Sequence, residues 1–252
     1  MRSAWPALIA LGLMLTACGA AEQTSDATTS TIRTPPTTAT PAPPTTGDTS
    51  IPPRLQPMAD RWKTDFSNSL IDLDELLVGI PASDPRDLIP PIDDPSFDPV
   101  EETDWIEDRE PGVLLELNDD ARFYPLSILT RHEIVNDTVG DIPVAVTYCP
   151  LCNTAVTFDR RLDGSVLRFG VSGLLRNSDL VMWDDRTESL WQQITGEAIV
   201  GELAGARLEV IPAAIVRWAD FIAAHPEGRA LGPDQGFGKV YGSNPYEFYS
   251  SQ

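Results

Sequence analysis

A Cys-x-x-Cys motif, Cys149 to Cys152, lies between two strand-like segments in the middle of the chain. Residues 144–148 before it and residues 155–158 after it are rich in β-branched and aromatic side chains, which is typical of strands. In a thioredoxin-like site the same motif opens a helix, whose N-terminus lowers the thiol pKa. The strand-like segment after Cys152 therefore argues against a thioredoxin fold and places the two thiols on a β-rich scaffold.

The rest of the folded part has the same short, strand-rich pattern. A turn at residues 118–120 joins two apolar runs into an expected hairpin. Helical spacing of apolar residues is confined to short stretches at residues 70–77, 126–134 and 213–224. Further strand-like runs occupy residues 166–169, 180–183, 189–194, 199–202 and 207–211. The pattern predicts a single α+β domain that is β-rich, with mostly antiparallel strands and a few short helices.

The N-terminus has the features of an export signal that ends in a lipid attachment site. An apolar run at residues 4–15 is too short to span a bilayer but has the length of a signal-peptide core. It leads into Leu-Thr-Ala-Cys at residues 15–18, which resembles a bacterial lipobox. We predict a signal peptide at residues 1–17 and a diacylglyceryl group on Cys18; the alternative is an ordinary secretory signal with an incidental cysteine. A lipidated Cys18 would anchor the protein at the extracytoplasmic face of the cell membrane.

Residues 18–53 are rich in threonine and proline and have almost no large apolar side chains, so they are predicted to form an unfolded tether. The globular domain is then expected at residues 54–252. The chain carries 38 acidic and 18 basic residues, a net charge of -20, which disfavours nucleic-acid binding because phosphate backbones are repelled. The expected membrane contact is made through Cys18, and the sequence specifies no protein or small-molecule partner.

Two thiolates three residues apart supply half of a tetrahedral zinc site or most of a copper(I) site. The second Cys-x-x-Cys of a structural zinc ribbon is missing, so a metal on Cys149 and Cys152 needs a ligand from elsewhere. His132 is the natural third ligand, since polar side chains that could hold its imidazole follow it closely. Those side chains are Glu133, Asn136 and Asp137. The first hypothesis is therefore a lipid-anchored domain with a soft-metal site for copper or zinc.

Two other functions fit the same residues. In the oxidising environment outside the cytoplasm, the pair could serve a thiol-disulfide oxidoreductase on a non-thioredoxin fold. Cys149 would then attack, Cys152 would resolve, and His132 would assist. Alternatively, the pair is a structural disulfide in a non-catalytic binding module whose Trp191 strand contacts a partner. The sequence leaves all three hypotheses open, because it does not give the geometry between His132 and the sulfur atoms.

Polar and aromatic side chains near the cysteines and at residues 188–193 are expected to line a pocket. The expected pocket residues are Tyr148, Thr154, Ser172, Glu188, Trp191 and Gln192. The alternative for residues 188–193 is an edge strand half exposed to water. A serine hydrolase is disfavoured, because Leu174 stands two residues after Ser172, where the nucleophile elbow requires glycine.

Four longer motifs resemble those of one bacterial family, catalogued as domain of unknown function 3179. They are His-Glu-Ile-Val-Asn-Asp at residues 132–137, Thr-Tyr-Cys-Pro-Leu-Cys-Asn-Thr at 147–154, Phe-Gly-Val-Ser-Gly at 169–173 and Glu-Ser-Leu-Trp-Gln-Gln at 188–193. The similarity runs from about Asp65 to the Asn-Pro-Tyr at residues 244–246. It implies that the cysteine pair and the His132 motif belong to one recurring set, and it supplies no reaction. Trp183, where tyrosine is expected, and Asn153, where glycine is frequent, depart from the pattern without removing a candidate ligand.

Overall fold

The computed structural model describes residues 50–246. The expected signal peptide, Cys18 and nearly all of the expected tether lie outside these residues. Ile51 packs against a core cluster that contains Leu55 and Met58, and Pro52 is buried. The folded domain has therefore begun by residue 51, slightly before the boundary expected from composition. Within residues 50–246, no helix is long and apolar enough to cross a membrane.

The described chain consists of many short strands and a few short helices. The strands are β1 (Leu77–Val78), β2 (Ile92–Asp93), β3 (Phe97–Pro99), β4 (Pro111–Leu117), β5 (Asp120–Pro125), β6 (Ile134–Val139), β7 (Ile142–Cys149), β8 (Thr154–Asp159), β9 (Arg161–Leu162), β10 (Ser165–Val166), β11 (Phe169–Arg176), β12 (Asp179–Asp184), β13 (Leu190–Gln192), β14 (Glu197–Val200), β15 (Val210–Ile211), β16 (Ala214–Arg217) and β17 (Arg229–Leu231). The α-helices are α1 (Gln56–Ala59), α2 (Leu126–His132) and α3 (Trp218–Ala224), and short 3-10 helices occupy Leu73–Glu75 and Val100–Glu102.

The strands form three five-stranded sheets and one two-stranded ribbon. The sheet orders are β1-β11-β12-β13-β14, β15-β8-β7-β6-β2 and β16-β4-β5-β17-β3, and β9 pairs with β10 in the ribbon. Neighbouring strands are antiparallel except for β2 with β6 and β5 with β17, which are parallel. The β-rich α+β fold with mostly antiparallel strands is thereby confirmed.

Strand β7 lies at the centre of the second sheet and is covered on both faces. Val144 and Val146 belong to one core cluster, whereas Ala145 and Cys149 belong to another. Side chains alternate between the two faces of a strand, so β7 contributes to both clusters along its length. This explains why residues 144–149 read as an almost uninterrupted apolar run.

Two tight turns bring separate parts of the chain to the end of β7. The first joins β7 to β8 and contains the cysteine motif. The second joins β11 to β12, where Asn177 and Ser178 both have positive φ values, 54° and 60°, as the central residues of a two-residue hairpin turn require. Next to this turn β11 and β12 pair with Arg176 opposite Asp179, and the pairing continues to Phe169 opposite Asp184 with one register shift between Val171 and Leu174. The second turn therefore places Asp179 at a defined position.

Candidate functional site

The two cysteines lie in the hairpin turn between β7 and β8. Cys149 is the last residue of β7 and pairs with Thr154, the first residue of β8. Asn153 has a φ of 51°, a left-handed conformation that asparagine adopts more readily than most residues. The Tyr148 hydroxyl donates a hydrogen bond of 2.9 Å to Asn153 Oδ1. The turn therefore holds both thiols on one short, fixed segment.

Asp179 joins the two cysteines. The Sγ atoms of Cys149 and Cys152 and a carboxylate oxygen of Asp179 all lie within 4.8 Å of one another. The Cys152 thiol donates to Asp179 Oδ1 at 3.4 Å. Across residues 50–246, this is the one group of three or more His, Cys, Asp or Glu side chains whose ligand atoms converge in this way. We call Cys149, Cys152 and Asp179 the cysteine-aspartate group.

The Asp179 carboxylate is oriented by neutral hydrogen-bond donors. Its Oδ2 atom accepts from the Gln192 side-chain amide and from the Ile194 backbone N–H, the latter at 3.1 Å. Arg176 Nη1 donates to Gln192 Oε1 at 3.2 Å and so fixes which end of that amide faces the carboxylate. Asp179 is only 4% exposed. The carboxylate is therefore buried, with Oδ2 engaged and Oδ1 directed at Cys152.

The two thiols have different surroundings. Cys149 is buried, whereas Cys152 is half-buried. Burial, reinforced by the Cys152 thiol, raises the pKa of Cys149 to about 12, although the backbone N–H groups of Cys152 and Leu180 at its sulfur act in the opposite direction. Those two N–H groups would stabilise a thiolate once its proton is removed. Without a metal ion, Cys149 is therefore a protonated thiol. A metal ion that replaces the proton would bind a thiolate that these two N–H groups also stabilise.

A polar network extends from Cys152 into the core. Thr154 Oγ1 lies 2.9 Å from Cys152 Sγ and 3.3 Å from Gln193 Oε1. The Gln193 amide in turn donates to Thr147 Oγ1 at 2.8 Å. Thr154 is half-buried, and Gln193 is fully buried. The exposed side of the cysteine-aspartate group is therefore the side of Cys152 and Thr154.

The structure places His132 outside the cysteine-aspartate group. Its Nδ1 lies 2.7 Å from the Pro90 carbonyl oxygen, and its Nε2 lies 2.9 Å from the Tyr241 hydroxyl. Burial lowers the pKa of His132 to about 4, so the ring is neutral near pH 7: Nδ1–H donates to Pro90, and Nε2 accepts from Tyr241. Both ring nitrogens therefore have hydrogen-bond partners within the fold. The third potential ligand beside the two cysteines is Asp179, and not His132 as the sequence predicted.

The side chains expected to hold the His132 ring have other partners. Asn136 exchanges two hydrogen bonds with the Phe169 backbone, at 2.9 and 2.7 Å. Asp137 accepts from Arg122 Nη1 at 2.7 Å and from the Tyr124 hydroxyl at 2.6 Å. Both lie on β6, which starts two residues after α2 ends, so the strand directs them away from the imidazole.

Glu133 follows helix α2 directly and has a φ of 61°. Its backbone carbonyl accepts from the Tyr148 N–H at 2.8 Å, which ties the end of α2 to the strand that carries Cys149. Its carboxyl accepts a hydrogen bond of 2.5 Å from the Tyr246 hydroxyl. Burial raises the pKa of Glu133 to about 7. Glu133 therefore contacts Tyr246 and not His132 through its side chain.

The expected pocket residues divide into two sets. Tyr148, Thr154 and Gln192 lie around the cysteine-aspartate group, as described above. Ser172 is buried in the core and donates to the Val181 carbonyl at 2.5 Å. Trp191 is also fully buried, with its indole N–H on Asp184 Oδ2 at 2.9 Å.

Residues 188–193 do not form a half-exposed edge strand. Strand β13 within this segment lies between β12 and β14, and all three of its residues are buried. Glu188 precedes it on a turn, where its carboxylate pairs with Arg86 Nη1 at 2.7 Å and accepts from the Lys63 N–H at 2.7 Å. Its role is therefore to fix the chain at Lys63 and Arg86, apart from the cysteines.

Asp179 is the site residue that the sequence interpretation missed, whereas Gln193 belongs to the segment at residues 188–193 that was expected to line a pocket. A turn at residues 177–178 between two strand-like runs is visible in the sequence. The register that brings Asp179 to a cysteine 27 residues away depends on packing between two sheets and leaves no local signal. Gln193 lies inside the recognised motif at residues 188–193, but nothing in its spacing connects it to Thr154.

A family model described as "Protein of unknown function (DUF3179)" matches residues 86–252, which is more than half of the chain. The resemblance to this family is thereby confirmed, with the matched region beginning at Arg86 and not near Asp65. No curated protein and no solved structure matches the chain.

Proposed function

The chain belongs to this family of unknown function, and we propose that it is a metal-binding protein in which Cys149, Cys152 and Asp179 hold one zinc ion. The observation that carries the proposal is the convergence of two sulfur atoms and one carboxylate oxygen within 4.8 Å of one another. The fixed orientation of Asp179 supports it, because carboxylates that bind metals are commonly held by hydrogen bonds on the oxygen that faces away from the metal.

The spacing of the donor atoms is close to that of a tetrahedral site. Zinc binds thiolates at about 2.3 Å, so two sulfur ligands of one ion lie about 3.8 Å apart. The three donor atoms already lie within 4.8 Å of one another, and a closure of about 1 Å would bring them to coordination distance.

Zinc fits this donor set better than copper(I). Copper(I) favours thiolate and thioether ligands, whereas zinc accepts thiolate and carboxylate together. The three ligands carry three negative charges when deprotonated. A divalent ion leaves one of these charges uncompensated in partly buried surroundings, and a monovalent ion leaves two. Copper is therefore the competing metal in the test below.

Three protein ligands leave the fourth position of a tetrahedral ion for water or a substrate atom, as in catalytic zinc sites. That position would lie on the half-buried side of Cys152 and Thr154. We further propose that the site is displayed outside the cytoplasm by a lipid on Cys18. The lipobox-like sequence at residues 15–18 and the tether composition at residues 18–53 support this placement.

Thiol-disulfide exchange is the second candidate function. It is favoured by the close approach of the two sulfur atoms and by the difference in their exposure. Cys152 is the more accessible thiol, and Cys149 is buried with a raised pKa. In this candidate Cys152 would attack a substrate disulfide and Cys149 would resolve the mixed disulfide, which reverses the roles assigned from the sequence.

Native mass spectrometry of the full chain in detergent, purified without added metal or reductant, tests both candidates. We expect the mass of one zinc ion per chain, retained in His132→Asn and in the matched carboxylate control Asp141→Asn, and lost in Asp179→Asn. Asp141 is exposed in a turn with a φ of 66°, where asparagine fits. A metal-free mass two hydrogens below the reduced value would mean a disulfide, and its reduction potential would then separate thiol-disulfide exchange from a structural disulfide. A metal-free, fully reduced chain that takes up neither zinc nor copper would contradict the metal site.

A further inference from the structure

A small cavity begins beside the cysteine turn and is separate from the cysteine-aspartate group. Its volume is about 60 Å³. Aliphatic side chains form most of its wall; they are Ile80, Ile89, Leu151, Val171, Leu174, Leu175 and Leu180. Leu151 lies between the two cysteines, and the backbone N–H of Leu180 is directed at the Cys149 sulfur. An occupant of the cavity would therefore lie next to the cysteine turn.

The wall of the cavity includes a buried carboxyl group. Gly79 is exposed and Ile80 and Tyr246 are half-buried, so these residues form its mouth. Glu133 is only 6% exposed and, with Tyr246, supplies the polar side chains of the wall. A cavity whose wall is aliphatic apart from a carboxyl group and a phenol can recognise a ligand by both ends, because the two parts of the wall favour different chemical groups.

The Glu133 carboxyl can accept a further hydrogen bond. Among the described residues, its side-chain donor is Tyr246, which bonds to Oε1. Lys239 affects Glu133 only at a distance, since its ammonium group donates to the Arg131 carbonyl oxygen at 2.8 Å. The second carboxylate oxygen and the remaining lone pairs are thus open to a donor that enters the cavity.

The backbone conformation of Glu133 indicates that the glutamate side chain has a role beyond ending helix α2. A left-handed residue at this position costs roughly 1–2 kcal/mol for a side chain other than glycine or asparagine. Glycine would end the helix without this cost. Glutamate at a φ of 61° instead adds a polar residue to the wall of the aliphatic cavity.

We propose that this cavity binds a short primary alkylammonium group, with the methylene chain against the aliphatic wall and the ammonium on Glu133. One water needs about 10–15 Å³ of such space, so 60 Å³ suits a chain of about four or five heavy atoms. A cationic end group is favoured because, within residues 50–246, no cation contacts the buried Glu133 carboxylate, and the whole chain carries a charge of -20. The group is supplied either by a free alkylamine or by a lysine side chain of a peptide.

Calorimetric titration of the full chain in detergent tests this proposal with four probes. Butylamine is compared with butanol, and Nα-acetyl-lysine amide with Nα-acetyl-norleucine amide. We expect each amine to bind at least about tenfold more tightly than its uncharged counterpart. We expect Glu133→Gln to weaken amine binding at least about tenfold, and the exposed-carboxylate control Glu227→Gln to bind as the original chain does.

A second variant tests the same proposal in case Glu133→Gln does not fold. Ile80→Trp places a larger side chain at the half-buried mouth, and we expect it to abolish binding of all amine probes. Tighter binding of the lysine derivative than of butylamine identifies a peptide side chain as the source, and the reverse order identifies a free amine. Equal affinity for amines and their uncharged counterparts, no binding of any probe, or unchanged affinity in both variants would overturn the proposal.

The amine proposal does not depend on zinc. Asp179→Asn is expected to lose the metal while binding butylamine with unchanged affinity, since Asp179 is not part of the cavity wall. Loss of amine binding in Glu133→Gln together with full zinc retention would show that the two sites are separate.

Discussion

The cysteine turn and the surroundings of His132 both contain side chains that can bind metal ions. The two regions differ in whether the donor atoms of those side chains are free to do so. At the cysteine turn, two thiols and a carboxylate converge on one another. At His132, both ring nitrogens already have partners, the Pro90 carbonyl and the Tyr241 hydroxyl. A side chain of a metal-binding type can serve as a ligand only where its donor atom is not already held by hydrogen bonds within the fold. The first region is therefore a candidate site, and the second is part of the structural framework.

The two regions are nevertheless mechanically connected. The carbonyl of Glu133, directly after His132, accepts a hydrogen bond from Tyr148, directly before Cys149. The pairing of β6 with β7 continues this connection from Ile134 opposite Thr147. The motif at residues 132–137 thus supports the strand that presents the cysteines, although its side chains do not reach the cysteine-aspartate group.

The largest effect is expected at Asp137, and it should be on stability alone. Asp137 is 6% exposed and accepts from Arg122 and Tyr124. Asp137→Ala would leave Arg122 without one of its buried partners, and we expect a loss of about 3–5 kcal/mol in the free energy of unfolding. Urea denaturation measures this change, with Asp141→Asn as the surface control. A large loss of zinc affinity in folded Asp137→Ala would contradict the division between the two regions.

The adjacent residues His132 and Glu133 should respond to pH in opposite directions. Burial raises the pKa of Glu133 from 4.5 to about 7, so its contribution to stability is full below pH 4.5 and is lost as the pH rises through 7. A shift of this size corresponds to about 3 kcal/mol. In chelator-treated protein, we expect Glu133→Gln to remove that loss from the curve of unfolding free energy against pH.

For His132 the sign is reversed. Burial lowers its pKa from 6.5 to about 4, so its contribution is present above pH 6.5 and is lost as the pH falls through 4. His132→Asn should therefore reduce the destabilisation in acid, whereas Glu133→Gln should reduce the destabilisation near neutrality. Identical pH curves for the two variants would mean that their surroundings are not those described here.

A smaller effect is expected at Asp179, and it should be on metal affinity. Asp179→Asn replaces a charged ligand by a neutral amide of the same shape, and we expect zinc affinity to fall by at least about 100-fold, because removal of a residue that only supports a metal ligand already costs about 10–100-fold. Competition with a zinc chelator at fixed pH measures this change. Unaltered affinity in this variant, with the chain still folded, would remove Asp179 from the site.

The smallest effect on metal affinity is expected at His132. His132→Asn should change zinc affinity by less than about twofold, because neither ring nitrogen is directed at the cysteine-aspartate group. The same chelator competition applies, with Asp179→Asn as the positive control. A loss comparable to that in Asp179→Asn would restore His132 as a ligand.

Local sequence determined several elements well. The hairpin of β4 and β5 follows from the turn at Asn118 and Asp119, whose φ values of 50° and 65° suit these residue types. The cysteine hairpin likewise follows from strand-like residues on both sides of a tight turn. In these cases the turn chemistry and the strand pattern agree, so no distant contact is needed to choose the structure.

Two helix predictions were right only in part, because distant strand pairing overrides the local spacing over the remainder of each segment. Residues 214–217 form β16, because Ile215 and Val216 pair with Val113 and Gly112 of β4; only α3 remains of the expected helix at residues 213–224. At residues 70–77, one 3-10 turn ends at Glu75, and Leu77 then pairs with Leu175.

The candidate site shows the same limit. The three-residue spacing identifies Cys149 and Cys152 as a pair, because short spacing is a local property. Asp179 enters through the register of β11 with β12, and His132 is excluded by partners 42 and 109 residues away, Pro90 and Tyr241. Neither effect is visible in the spacing of residues along the chain.

Zinc K-edge X-ray absorption of the zinc-loaded full chain in detergent tests the central claim most directly. We expect two sulfur ligands at about 2.3 Å and oxygen ligands at about 2.0–2.2 Å, without the outer-shell scattering of an imidazole ring. The oxygen contribution should decrease in Asp179→Asn. An imidazole signal that disappears in His132→Asn, or a chain that cannot be loaded with zinc, would contradict the account.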